Sequence, residues 1–308
     1  MVTVLLIDAA LAGLLLVVVL RARVAWRQPR ARIAWLAALI GCIALLTQGT
    51  VIPLEILDGF LGGTNVLKLV QNVLTMVALW LGIQAGTAPV SARIRTLRWW
   101  FPGLLGALFA VVFFVALPER GTSSFRFLED AAMTSTGAWA YGVLHMAGIA
   151  LVGLLLFRSA RGSLPKTRVF FRVGAVGIVL GCLSEILDLT LSRFFEPDAL
   201  VSALFDPLFY LGVVSFVIGI FVASRTTTRI RRRGDELLAR LEPVARERGV
   251  DSFPGLPADA VADTRLHALR VAVEDDAIAT STPLSPPQRA LLDDIDAHLT
   301  RRTTGVHP

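Results

Sequence analysis

Four polar side chains recur at helical spacing inside an apolar stretch of the chain: Lys68, Gln71, Asn72 and Thr75. At three- and four-residue intervals they share one face of a helix. A second stretch carries Glu185 and Asp188 on the stripe of Gly177, Gly181 and Ser184, and Asp8, Gln48, His145 and Asp206 lie in further apolar runs. Small residues let a neighbouring helix backbone come close, so these carboxylates are expected to face other helices. An isolated charge at the bilayer centre costs about 2.5–3.5 kcal/mol on insertion scales, which makes pairing or hydration the expected outcome. Lys68 is the cation available to the acids Asp8, Glu185, Asp188 and Asp206, and a Lys68–Glu185 or Lys68–Asp188 pair is the first expectation. Lys68, Gln71, Asn72, Glu185, Asp188, Asp206, Asp8 and His145 thus form the candidate set for binding a cationic or polar ligand, or for coupling protons or ions. The same groups would also serve as an interhelical clamp, and His145 suits either a proton relay or a single interhelical hydrogen bond.

The elements that position these groups follow from composition. Of 308 residues, 55% are hydrophobic and 18% charged, against about 45–50% and about 25% in soluble domains. Mean hydropathy is +0.66. Apolar runs fall at 3–20, 33–52, 65–85, 100–117, 137–157, 169–191 and 203–224, each near the ~20 residues that cross a ~30 Å hydrocarbon core. Helices satisfy their own backbone in lipid, so the expected fold class is all-α: a polytopic seven-helix transmembrane bundle over 1–224. A short helical cytoplasmic C-terminal domain over 225–308 is expected to follow.

The charges alternate from connector to connector. Residues 1–224 hold 17 Lys and Arg against 11 Asp and Glu, while 225–308 hold 13 of each, so the excess of positive charge belongs to the apolar part. Arg21, Arg23, Arg27, Arg30 and Arg32 follow the first run, Arg93, Arg95 and Arg98 the third, and Arg158, Arg161, Lys166 and Arg168 the fifth. The opposite connectors carry only Arg120, Arg126 and Arg193 among Glu55, Asp58, Glu119, Glu129, Asp130, Glu196 and Asp198. The positive-inside rule then predicts an external N-terminus, a cytoplasmic C-terminus and a multi-pass protein of the bacterial plasma membrane. Residues 1–20 contain no Lys or Arg, so the first run reads as an uncleaved anchor and not as a signal peptide. Trp26, Trp35, Trp99 and Trp100 suit an interfacial belt. In this orientation Asp8, Gln48, Lys68, Glu185, Asp188 and Asp206 fall in the outer half, Gln71, Asn72 and His145 nearer mid-depth and Arg172 in the cytoplasmic half, which predicts an outward-opening pocket.

Beyond 224 the chain becomes charged. Arg225, Arg229, Arg231, Arg232 and Arg233 are candidates for lipid-headgroup contact, or a plain stop-transfer signal. Three amphipathic helices are expected. The first continues through about 248 with Leu237, Leu241 and Val244 on one face and a kink or early end at Pro243. The second covers about 258–277 with Leu266, Leu269 and Val273, and the third starts after Ser285 with Gln288 at the capping-box position. So small a core implies packing against the membrane part, a cytoplasmic protein partner or a second copy through 234–308, or else a partly disordered tail.

No metal-ligand spacing, phosphate loop or activated nucleophile is recognisable, so neither metal, cofactor nor enzymatic activity is expected. Cys42 and Cys182 sit in apolar runs, where a free thiol behaves as a small hydrophobe. Basic helices with interleaved aromatics are missing, which argues against nucleic acid.

Two stretches carry a resemblance. Ile56-Leu57-Asp58-Gly59 followed by Gly63-Thr64-Asn65-Val66-Leu67, and Arg265-Leu266-His267 followed by Val271, Val273 and Asp275, resemble motifs of a family of actinobacterial seven-helix integral membrane proteins of unknown function. His267 stands where that family has Tyr, and Ala272 and Glu274 where it has acidic and basic residues. The family carries the label of transporters and a small cytoplasmic C-terminal domain, so the resemblance implies a transporter or transport-associated protein. The residues alone leave open a seven-helix sensor or signalling adaptor that relays ligand binding to the tail.

Overall fold

The structure, a computed structural model, describes residues 2–27, 29–86, 100–117, 120–124, 127–162, 165–196, 198–250 and 262–303. Arg93, Arg95, Arg98, Trp99, Glu119 and Arg126 lie outside them. All regular elements among the described residues are helical. They are α1 (Val2–Arg27), α2 (Pro29–Leu46), α3 (Leu54–Gly59), α4 (Val66–Gly86), α5 (Trp100–Ala116), α6 (Phe127–Thr134) and α7 (Thr136–Ser159). A 3-10 turn at Ala160–Gly162 leads to α8 (Pro165–Phe194), α9 (Ala199–Ser202), α10 (Phe205–Glu247), α11 (Ala262–Ala279) and α12 (Pro286–Thr303).

Among the described residues, five helices are long and apolar enough to cross a membrane: Thr3–Trp26, Val66–Ala85, Thr136–Ser159, Thr167–Phe194 and the helical stretch Ala199–Glu247. Ala31–Leu46 and Trp100–Ala116 are shorter apolar helices. Large apolar side chains point outward along them, among them Leu5, Leu16 and Val19 of α1 and Leu104, Val111 and Val115 of α5. In water such a surface would be unstable, and it suggests a membrane-embedded protein.

The second apolar run ends earlier than the sequence suggests. Helix α2 stops at Leu46, where the Thr47 hydroxyl donates back to the Ala44 carbonyl at 2.7 Å. Gly49 then takes φ +85°, so residues 47–52 form turns and bends in place of the end of a span. Gln48 belongs to this turn. Conversely, the connectors contain three short helices, α3, α6 and α9, with Asp198 capping α9 by accepting the N–H groups of Leu200 and Val201.

Contacts divide the chain into two units, Met1–Phe221 and Val222–Pro308. In the first, α1 packs on α2, α2 on α4, α4 on α5, α5 on α7, and α7 on α8. The start of α10 meets α8 through Gly174, Gly177 and Gly212, α1 through Gly13 and Val217, and α4 through Gly82 and Phe216. Helix α4 therefore touches α2, α5, α7 and α10. It is 61% buried, against 44% or less for the other four long helices, which makes it the central helix.

The second unit has its own apolar cluster, built from Leu237, Leu238, Leu241 and Ala245 of α10, Leu266 and Val273 of α11, and Leu291, Leu292 and Ile295 of α12. Helix α10 runs on to Glu247, close to the expected end near 248, so Pro243 lies inside it and does not end it early. Pro243 and Ala239, whose carbonyl loses its helical donor, are both exposed, so water can replace that bond. Gly249 at φ +72° closes the helix, with the Val250 N–H donating to the Ala245 carbonyl at 2.9 Å. Gln288 accepts the Ser285 N–H at 3.0 Å at the start of α12, as a capping box requires.

Candidate functional site

Centrality explains how α4 holds polar side chains. Lys68, Gln71 and Asn72 are 8%, 7% and 7% exposed, because every face of α4 meets another helix. The Asn72 Nδ2 donates to the Tyr141 hydroxyl of α7 at 2.9 Å. Tyr141 stacks over His145, one turn further along α7, and His145 is met edge-on by Phe109 of α5 with ring centroids 5.3 Å apart. Thr75 satisfies itself by donating to the Gln71 carbonyl. Along this polar line, the buried atoms Gln71 Oε1 and His145 Nδ1 have no hydrogen-bond partner among the described residues. A buried polar atom without a partner costs about 1–3 kcal/mol, so each has capacity for a water or a polar ligand.

The acids gather near the end of the bundle where α4 begins. Glu185, half-buried on α8, lies in the fields of Glu129, Asp188 and Asp206. Glu129 also acts electrostatically on Lys68. It sits on α6, so a connector residue interacts with charges of both α4 and α8. The sequence expectation named Glu185 or Asp188 as the counter-charge of Lys68, and Glu129, a connector acid, also interacts with it. Asp188 accepts the Ser202 hydroxyl of α9 in a short hydrogen bond, and Asp206 accepts the Thr3 hydroxyl at 3.0 Å. Asp8 is exposed on α1 and does not join them. Arg172 lays its guanidinium over the Phe157 ring at 5.3 Å.

A second polar centre, outside the candidate set, closes the same end. Asp58 is fully buried, and its carboxylate accepts the N–H groups of Asn65 and Leu67 at 2.6 and 2.8 Å and the Ser123 hydroxyl at 2.5 Å. This is a carboxylate at the N-terminus of α4, where the helix dipole favours negative charge. Asn65, in the left-handed region at φ 60°, donates through Nδ2 to the carbonyls of Arg120 and Thr122 and accepts the Ser124 N–H. Arg120 in turn covers Phe114 at 5.0 Å.

No family model, curated protein or solved structure matches the chain. Its function has to be argued from the chemistry of its own residues. Tyr141, Glu129, Asp58 and Asn65 were not in the candidate set. Asp58 and Asn65 did stand in the motif that carries the resemblance, while Glu129 gave no signal beyond an acid beside Phe127 and Leu128. The five arginines Arg225, Arg229, Arg231, Arg232 and Arg233 are all exposed, and Arg233 pairs with Asp294 at 3.3 Å and Glu236 at 3.6 Å inside the second unit. Among the described residues no group of His, Cys, Asp and Glu could hold a metal ion.

Proposed function

We propose that the chain is a seven-crossing protein of the bacterial plasma membrane, with the N-terminus outside and the tail in the cytoplasm. It works as a transporter or transport-associated protein, taking protons or a cationic or polar solute into an outward-facing pocket between helices. The arginine-rich connectors support the orientation. Helices α2 and α5, 18 and 17 residues long, reach the lower end of the span range, about 17–25 residues. The resemblance to the actinobacterial seven-helix family agrees with this layout.

The observation that carries the reading is the buried polar line on the central helix. Lys68, Gln71 and Asn72 lie among apolar helices with Glu129 and Glu185 in electrostatic reach of one another, and with Gln71 Oε1 and His145 Nδ1 unsatisfied. Intramembrane ionisable groups are costly and mark solute or proton pathways. The test is reconstitution in liposomes with an imposed proton gradient and solid-supported-membrane recording while amine, cation and polar solutes are screened. A solute- or proton-dependent current that Glu185→Gln abolishes is expected. Its absence for every solute class sinks the transport reading.

A sensor is the second reading, favoured by α10, one helix that contains both Asp206 and the tail residues Leu237 and Leu241. Truncation of 234–308 would then abolish the output while ligand binding persists. Loss of binding in the truncated chain counts against it.

A further inference from the structure

The turn between α1 and α2 concentrates positive charge. Arg21, Arg23 and Arg27 lie in the last two turns of α1 and Arg30 and Arg32 in the first turn of α2, and no Asp or Glu occurs between Asp8 and Glu55. Beside this turn the two helices leave a crevice of about 390 Å³, lined by Ala22, Ala25, Trp26, Arg32, Trp35 and Leu36. Its walls are fixed by hydrogen bonds. The Trp35 indole N–H donates to the Val18 carbonyl at 2.9 Å. Arg32 donates through Nε to the Ala25 carbonyl at 3.1 Å and through Nη2 to that of Trp26 at 3.2 Å. Those carbonyls belong to the last turn of α1, which has no helical donors for them, and a cation there also complements the helix dipole.

Locked in this way, Arg32 stays exposed, and its Nη1 makes no hydrogen bond among the described residues. The crevice behind it is apolar because Ala22 and Ala25 are small and their neighbours are Leu36 and two indole rings. An inorganic anion would neutralise the arginines and leave the apolar space unfilled. A zwitterionic lipid would fill the space without supplying net negative charge. Only an amphiphile with a hydrocarbon chain and an anionic head matches both, and tryptophans at helix ends mark the depth at which such a head lies.

We propose that this crevice is a binding site for an anionic phospholipid, with an acyl chain against Ala22, Ala25 and Leu36 and the phosphate on the free Nη1 of Arg32. The site lies at the far end of α1 from Thr3 and Asp206, so it is separate from the polar line.

The test uses the full chain in nanodiscs of equal phosphatidylglycerol and phosphatidylcholine, with retained lipid measured by native mass spectrometry after release. Preferential retention of phosphatidylglycerol is expected. Arg32→Gln should lower that preference about fivefold, the effect of one basic group near an anionic surface. Ala22→Phe should remove retained lipid of both kinds, and Arg265→Gln, at an exposed arginine paired with Glu242 in the second unit, should change nothing. Equal retention of the two lipids by the wild-type chain overturns the proposal, as does an Arg265→Gln effect as large as that of Arg32→Gln. Retention that inorganic phosphate abolishes and Ala22→Phe leaves intact would show a headgroup-only site and overturns it too. Should Ala22→Phe fail to fold, chain-brominated lipids report instead. Brominated phosphatidylglycerol should quench tryptophan fluorescence more than brominated phosphatidylcholine, and replacing both Trp26 and Trp35 by Phe should remove the excess. No excess in the wild-type chain overturns the proposal.

Discussion

The Asp58 carboxylate receives the backbone N–H of Asn65 at 2.6 Å, across a loop that contains Gly62 and Gly63 in left-handed conformations. Asn65 passes the connection on to Arg120, Thr122 and Ser124, so two connectors far apart in sequence close one end of the bundle together. The buried negative charge is satisfied by three donors and by the start of α4.

Asp58→Asn replaces an acceptor oxygen by an amide that cannot serve all three donors. We expect a loss of about 1–3 kcal/mol for each donor left unpaired, read from denaturation in detergent. Glu55→Gln, at an exposed acid on the same short helix, should leave stability unchanged. A stable Asp58→Asn chain would show that the knot contributes little.

Gly177 has no room for a methyl group: a Cβ there would lie 2.9 Å from Gly212 Cα and from the Leu208 carbonyl oxygen. Both obstacles are backbone, so the helices must separate. Gly177→Ala should cost about 1–3 kcal/mol, the range for overpacking. Gly103, with nothing within 4 Å, should accept Ala without loss, and equal thermal shifts for the two variants would refute the close seam.

Asn72 and Tyr141 share one buried hydrogen bond. A double-mutant cycle with Asn72→Leu and Tyr141→Phe should give a coupling of about 0.6 kcal/mol, the mean for such bonds in membranes. Zero coupling would mean that each group finds another partner in the lipid-embedded chain.

Arg248 joins the end of α10 to Asp276 at 3.3 Å, to the carbonyls of Thr282 and Pro283, and to Gln288. Its side chain is 9% exposed. Arg248→Met should weaken the second unit by about 1–3 kcal/mol, visible as faster amide exchange in α11 and α12. Arg265→Met breaks an exposed pair with Glu242 and should cost under about 1 kcal/mol.

The polar face of α4 was legible because Lys68, Gln71, Asn72 and Thr75 recur at the helical period, and that period needs no knowledge of neighbours. Partner identity was not. Glu129 lies in an eight-residue helix, too short to show periodicity, and its flanking Arg126 and Asp130 read as a plain polar connector. The link from Asp58 to Ser123 joins residues 65 positions apart, a separation at which no local pattern can act. The end of α2 was misplaced because hydropathy continues through Val51 and Ile52, whereas Gly49 and the Thr47 hydroxyl have already turned the backbone. Conversely, the sequence signal at Ser285 and Gln288 was sufficient, since a capping box is made within four residues.

The glycine notches of α8 also bear on how the chain is assembled. Lipid tails are as apolar as leucine, so nothing hydrophobic drives two inserted helices together. Gly174 and Gly177 receive Gly212, and Gly181 receives the backbone at Phe209. Displacing α10 along α8 by one turn would oppose these notches with bulky side chains such as Phe216 or Phe205. The notches therefore work as a key cut for one alignment: α10 seats on α8 only in the register that leaves Asp206 beside Thr3.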